Sequence, residues 1–143
     1  MSTVSQYKEV LRAMLKGDTE TAKRLSDQIV DAPWKESGAL VTAVCAILAE
    51  DHFDNDDSPA AIKRFVTDMM NNYADADPPL KPLVGEAVVR VALGESELMK
   101  GIDINDFTIH QMAFVNKIVE DDELSDRQVD ELLDEAEALL AQM

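Results

Sequence analysis

The amino-acid sequence predicts an all-α protein: a single-domain bundle of six or seven helices around a central apolar helix, entered through an antiparallel helical hairpin. Three observations carry that prediction. Apolar residues recur at helical spacing along most of the chain, and nowhere do they alternate with the two-residue period of a strand. The 143 residues are 46% apolar with five glycines and five prolines, which suits one ordered domain able to bury a core without metals or cross-links. The uncharged stretch Gly38–Ala49, GALVTAVCAILA, is apolar on every side of a helix, and a helix without a polar face belongs inside.

The hairpin is expected over residues 3–31. Its first helix, about Val4 to Lys16, places Val4, Tyr7, Val10, Leu11, Met14 and Leu15 on one stripe, with Thr3 and Gln6 as a capping box. Gly17 ends that helix, and Asp18 caps the next, Thr19 to about Val30, whose apolar side is Ala22, Leu25 and Ile29. Over about ten residues this turn, with Gly17, Asp18 and Ala22, resembles the middle of a tetratricopeptide repeat. The aromatic and small positions of such a repeat's first helix are unmatched, and no second copy follows at the repeat period. The likeness is therefore one of hairpin chemistry.

Trp34 is expected to pack over the start of the central helix, residues 36–50, in which Leu40, Val44 and Ile47 form a ridge. Ser58-Pro59 opens a helix near 59–74, because serine caps and proline fits a first turn. Ile62, Phe65, Val66, Met69, Met70 and Tyr73 share one of its faces. Asp75 to Pro79 breaks the chain, and a helix near 80–93 turns Leu83, Val84, Ala87, Val88 and Val91 inward. Gly94 to Asn105 reads as a connection with one short turn. Asn105 or Asp106 then caps a helix near 106–119, whose apolar arc holds Phe107, Met112, Phe114, Val115, Ile118 and Val119. Gln111 lies inside that arc and needs a hydrogen bond from a neighbouring helix. Ser125 and Gln128 make a capping box for the last helix, near 126–141.

The net charge of −16 argues against phosphate-backbone binding, since nucleic acid is repelled. Residues 1–40 are neutral, with six bases and six acids, so the acidity belongs to the last hundred or so residues. Such a charge reads as a solubilising surface or as a docking face for a basic partner. The start MSTVSQYKEVL has neither the basic residues nor the apolar run of a secretion signal, and the central stretch is too short to cross a bilayer. With a single cysteine, Cys45, no disulfide framework is available, and a cytoplasmic location is expected.

No catalytic, cofactor or metal constellation emerges from the residues. Glycine-rich phosphate loops are absent. A carboxylate di-iron site needs Glu-x-x-His pairs, and neither His52 nor His110 follows a glutamate at that spacing. Asp106 and His110 share a helix face, but two ligands do not make a site; the expectation is a capping aspartate beside a half-exposed histidine. The acidic stretches 50–57 and 120–123 read as solvated loops, because the first lacks both the EF-hand glycine and its closing glutamate. Cys45, in mid-helix, reads as a small hydrophobe.

What remains is a non-catalytic acidic helical adaptor that binds another protein, either a basic one or a second copy of itself. Its expected interaction seam is Val129, Leu132, Leu133, Ala136, Leu139 and Leu140 on the last helix, with acids along the outside. Phe65, Met69, Met70 and Tyr73 are either core or the wall of a cavity for a small apolar ligand beside the central helix. An acidic nucleic-acid mimic directed at a basic protein ranks below both.

Overall fold

The computed structural model describes residues 3–27, 34–75 and 79–142, and these form seven α-helices and one 3-10 turn, with no strand among them. The helices are α1 (Thr3–Leu15), α2 (Thr19–Asp27), α3 (Trp34–His52), α4 (Pro59–Asn72), α5 (Pro82–Ala92), α6 (Ile104–Asp121) and α7 (Asp126–Ala141), with the 3-10 turn at Ser96–Met99. The all-α expectation holds. The expected end of the second helix at Val30, its Ile29 contact and the Trp34 side chain fall outside the described part.

Local chemistry explains most boundaries. Gly17 takes φ +81°, a left-handed conformation that costs glycine no steric strain, and stops α1. The Thr21 amide then donates to the Asp18 carboxylate at 3.1 Å, capping α2. Ser58 Oγ accepts from the Ala61 amide at 3.2 Å, with Pro59 in the first turn of α4. At α7 both halves of the capping box form: Ser125 Oγ accepts from the Gln128 amide, and Gln128 Oε1 accepts from the Ser125 amide.

Four expectations are corrected. α3 starts at Trp34 and runs past the expected end at Glu50 through Asp51 and His52, because charged residues do not end a helix as glycine or a cap does. It also has a partly exposed side: Leu40, Val41, Val44, Cys45, Leu48 and Ala49 are buried, whereas Ile47 is half-buried and Ala39 exposed. α6 starts earlier than expected, since Asp103, rather than Asn105 or Asp106, accepts the amides of both those residues at 2.9 and 3.2 Å. Finally, of the five α5 residues expected to face inward, Ala87 and Val88 are buried, joined by Gly85, Val89 and Ala92, whereas Val84 and Val91 are half-buried and Leu83 stands 81% exposed. Glycine carries no side chain to mark it as apolar, so the periodicity misses Gly85 and sets the face toward Leu83 instead.

The chain divides into two compact units, residues 1–44 with 122–143 and residues 45–121, with the first boundary inside α3. In the first unit α1 packs on α2 and on α7. Lys8 pairs with Asp134 and Glu137, Arg12 with Asp130, and Lys16 with Asp130 at 3.0 Å. Higher numbers on α1 meet lower numbers on α7, so the two helices run antiparallel. Beside this charged ladder Val129, Leu132, Leu133 and Ala136 of α7 and Leu11 and Leu15 of α1 are buried.

In the second unit α5 packs on α4, α6 and the 3-10 turn. A Cβ on Gly85 would lie 3.0 Å from Met69 Cε and 3.1 Å from Met70 Cε, so the missing side chain lets α4 and α5 approach closely. Phe65 lies edge-on to Phe53 at 5.5 Å and to Phe114 at 5.4 Å, the offset geometry aromatic rings prefer. Fully buried Phe107, Val115 and Ile118 add the α6 side of this core.

Candidate interaction surfaces

The seam expected on α7 is occupied by the chain itself. Val129, Leu132, Leu133 and Ala136 are buried in the first unit, leaving Leu140 half-buried and Leu139 exposed at the helix end. The periodicity located an apolar face correctly, and the fold uses it internally. Three of the acids expected to cover the outside of α7, namely Asp130, Asp134 and Glu137, instead meet bases on α1.

Of the residues with two expected roles, Phe65 and Met69 lie in the core. The Met69 and Met70 thioethers fill the space over Gly85, so this part of the face is packed side chain rather than cavity wall. Tyr73 is half-buried, and its hydroxyl oxygen is buried without a hydrogen-bond partner. Burial, followed by the nearby charges of Glu120 and Asp121, pushes that phenol above its ordinary range.

His110 departs from its expected place: it is 2% exposed rather than half-exposed. Its Nε2 accepts from the Lys81 amide at 2.8 Å, and its Nδ1 lies 2.6 Å from the Asp106 carbonyl oxygen. A neutral imidazole with the proton on Nδ1 satisfies both partners. Lys81 precedes Pro82 at the start of α5 and has no capping side chain of its own, so His110 takes over one of the helix's orphan amides. Lys81 Nζ donates to the Asp106 carboxylate at 2.8 Å, which holds that carboxyl below its ordinary range. The Asp106–His110 pair thus ties α5 to α6. Among the described residues no group of three or more histidine, cysteine or acidic side chains is arranged to hold a metal.

Cys45 is buried, with its thiol donating toward the Gln111 carbonyl at 3.9 Å, and burial pushes the thiol well above its ordinary range. Gln111 is buried, as its place in the apolar arc implied.

Among the described residues of the second unit, two concave features face solvent. A cleft of about 250 Å³ is lined by His52, Phe53, Asp56, Ala61, Arg64, Phe65, Asp68, Lys117 and Asp121. His52, read from the sequence as part of an acidic loop, instead sits edge-on to Phe53 at 5.0 Å and Phe65 at 5.2 Å. Lys117 is buried, donating to Asp121 at 2.7 Å with its ammonium 5.4 Å from the Phe65 ring centroid. The cleft's cations largely face its own acids.

The second feature is a groove of about 380 Å³ lined by Leu83, Glu86, Ala87, Arg90, Leu98 and Ile102, between α5 and the 3-10 turn with its following loop. Leu83 and Leu98 are exposed. Arg90 donates to Glu86 at 3.0 Å and also faces Glu95 at 3.6 Å, so two carboxylates bracket the one cation among the lining residues. The sequence reading missed this surface because Leu83 fits an apolar helical pattern, and the pattern alone does not say which apolar residues stay outside.

Comparison with protein-family models, with curated proteins and with solved structures finds no match for this chain. No helix among the described residues is long and apolar enough to cross a membrane.

Proposed function

We propose that this chain is a non-catalytic, cytoplasmic protein that works by binding a basic segment of another protein. The observation that supports this reading is an exposed apolar groove, with Leu83 and Leu98 open to solvent and Glu86 paired with Arg90 on its wall, on a chain of net charge −16. The charge ledger points the same way. Lys8, Arg12, Lys16, Lys81, Arg90, Lys117 and Arg127 each face an acid within the chain, so the surplus from 29 acids against 13 bases is left toward solvent. A second copy of so acidic a chain is a poor partner, and nucleic acid a worse one.

The test is fluorescence anisotropy with a labelled amphipathic Leu/Lys helix and its Leu/Glu counterpart. The reading expects saturable one-to-one binding of the basic peptide, weakening as salt rises, and none of the acidic one. Absence of basic-peptide binding, or equal binding of the two peptides, overturns it.

A further inference from the structure

We infer that His110 is a pH-sensitive latch between α5 and α6: the neutral ring holds the first turn of α5 in place, and the protonated ring releases it.

The latch follows from which ring nitrogen can carry a proton. Nε2 accepts from the Lys81 amide at 2.8 Å, and a backbone N–H only donates, so this nitrogen is bare. Nδ1 lies 2.6 Å from the Asp106 carbonyl oxygen, which only accepts, so the single ring proton sits there. An imidazolium carries a proton on both nitrogens. Its Nε2–H then points at the Lys81 N–H across the same 2.8 Å, two donors with no acceptor between them. One side has to move. His110 is 2% exposed, on a helix whose neighbouring Phe107, Gln111 and Phe114 are buried too. Lys81, Pro82 and Leu83 are exposed, and no side chain of the Lys81 cap position holds the start of α5. The start of α5 is therefore the side that yields. Leu83 belongs to that turn and lines the groove, so the latch also sets where this wall of the groove stands.

The charged groups facing the ring are Lys81 from α5 and Asp106 from α6, which pair with each other at 2.8 Å. The Asp106 carboxylate favours a proton on the ring, and the Lys81 ammonium opposes it. α4 also packs on α6, and the Cys45 thiol of α3 approaches the Gln111 carbonyl. Among the described residues neither helix hydrogen-bonds or pairs ionically with the ring. The Lys81–Asp106 bridge is a poor substitute for the lost amide bond, since the lysine side chain is 61% exposed and the pair is screened by salt. The sign is fixed: the tie is complete while the ring is neutral and is lost as pH falls and the ring takes up its proton. Imidazole in water does so at about pH 6.5 and carboxylates at about pH 4, so an interval ending at about pH 5 isolates the histidine.

The experiment uses the full chain, nitrogen-15 labelled, as parent, His110→Gln and His52→Gln, between about pH 7.5 and about pH 5. Glutamine offers one acceptor and one donor that do not titrate. Ring-nitrogen spectra report the protonation of His110, and amide hydrogen exchange, corrected for its intrinsic pH dependence, reports the protection of Lys81. The parent should show the Nδ1–H tautomer at the upper pH and a doubly protonated ring at the lower. Protection of the Lys81 amide should fall about tenfold or more over the same interval. His52→Gln should behave like the parent, and His110→Gln should show no such fall. A ring that gains its second proton while the Lys81 amide keeps its protection overturns the latch. So does a ring still neutral at the lower pH, or an equal loss of protection in His110→Gln. The ring spectra and the Lys81 protection need only the parent, so the first two outcomes decide the matter even if His110→Gln fails to fold.

Discussion

The two compact units carry nearly the same acidic excess, fourteen acids against seven bases in the first and fifteen against six in the second, but they place their charges differently. In the first unit Lys8 and Arg12 of α1, with Lys16 just after it, face Asp130, Asp134 and Glu137 of α7 along an antiparallel edge, with apolar residues of both helices buried. In the second, α6 takes His110, Gln111 and Lys117 into the interior, beside a run of edge-on aromatic rings. An ion pair at a surface edge is screened by salt and contributes little to stability, whereas a buried polar group is costly once its partner is removed. The first unit is therefore expected to respond to solution conditions, and the second to mutation.

The largest effect should come from the apolar cores, where the units are alike. Phe114→Ala in the second unit should cost about 3–5 kcal/mol and Leu133→Ala in the first about 2–5 kcal/mol, read from urea denaturation followed by circular dichroism. Costs below about 1 kcal/mol at both sites would mean that neither core is packed as described.

A smaller effect separates the units. His110→Ala leaves the Lys81 amide without its acceptor at the start of α5 and should cost about 1–3 kcal/mol. Hydrogen exchange should show faster exchange of the Lys81 amide in this variant. An unchanged rate there would remove the case for His110 as a cap.

The smallest effect tests the charged edge. The hydrogen bond from Lys16, with a second from Arg12, holds the Asp130 carboxyl below its ordinary value of 3.8. Its contribution is present above that value and lost as pH falls through the lowered one. The hydrogen bond to Asp134 raises the Lys8 ammonium above 10.5, so its contribution is full below that value and lost as pH rises through the raised one. The edge is thus intact from mildly acid to mildly alkaline pH. Salt also relieves repulsion across a chain of charge −16, which acts in the opposite direction, so the comparison must be differential. The stability gap between parent and Asp130→Asn should narrow in high salt and close at low pH. A gap independent of both would show that the pairs add nothing electrostatic.

Much of this molecule follows from residue order alone, because the relevant forces are local. Helical spacing of apolar residues, Gly17 as a stop, Asp18 and Ser58 as caps, and the Ser125–Gln128 box act within a turn or so of chain, and each appears in the folded protein where the sequence places it. Tertiary structure decided what an apolar or charged face is used for. The seam of α7 looks free in sequence because its partner, α1, lies more than a hundred residues away. The neutrality of residues 1–40 conceals three bases that meet acids on that same distant helix. Gly85 is invisible to an apolar pattern and becomes part of the buried face only when Met69 and Met70 arrive over it. Leu83 is the converse case, an apolar residue that fits the pattern and is left outside. Periodicity states that a residue is apolar and where it points along its own helix; whether another helix covers it depends on contacts between residues far apart in the chain.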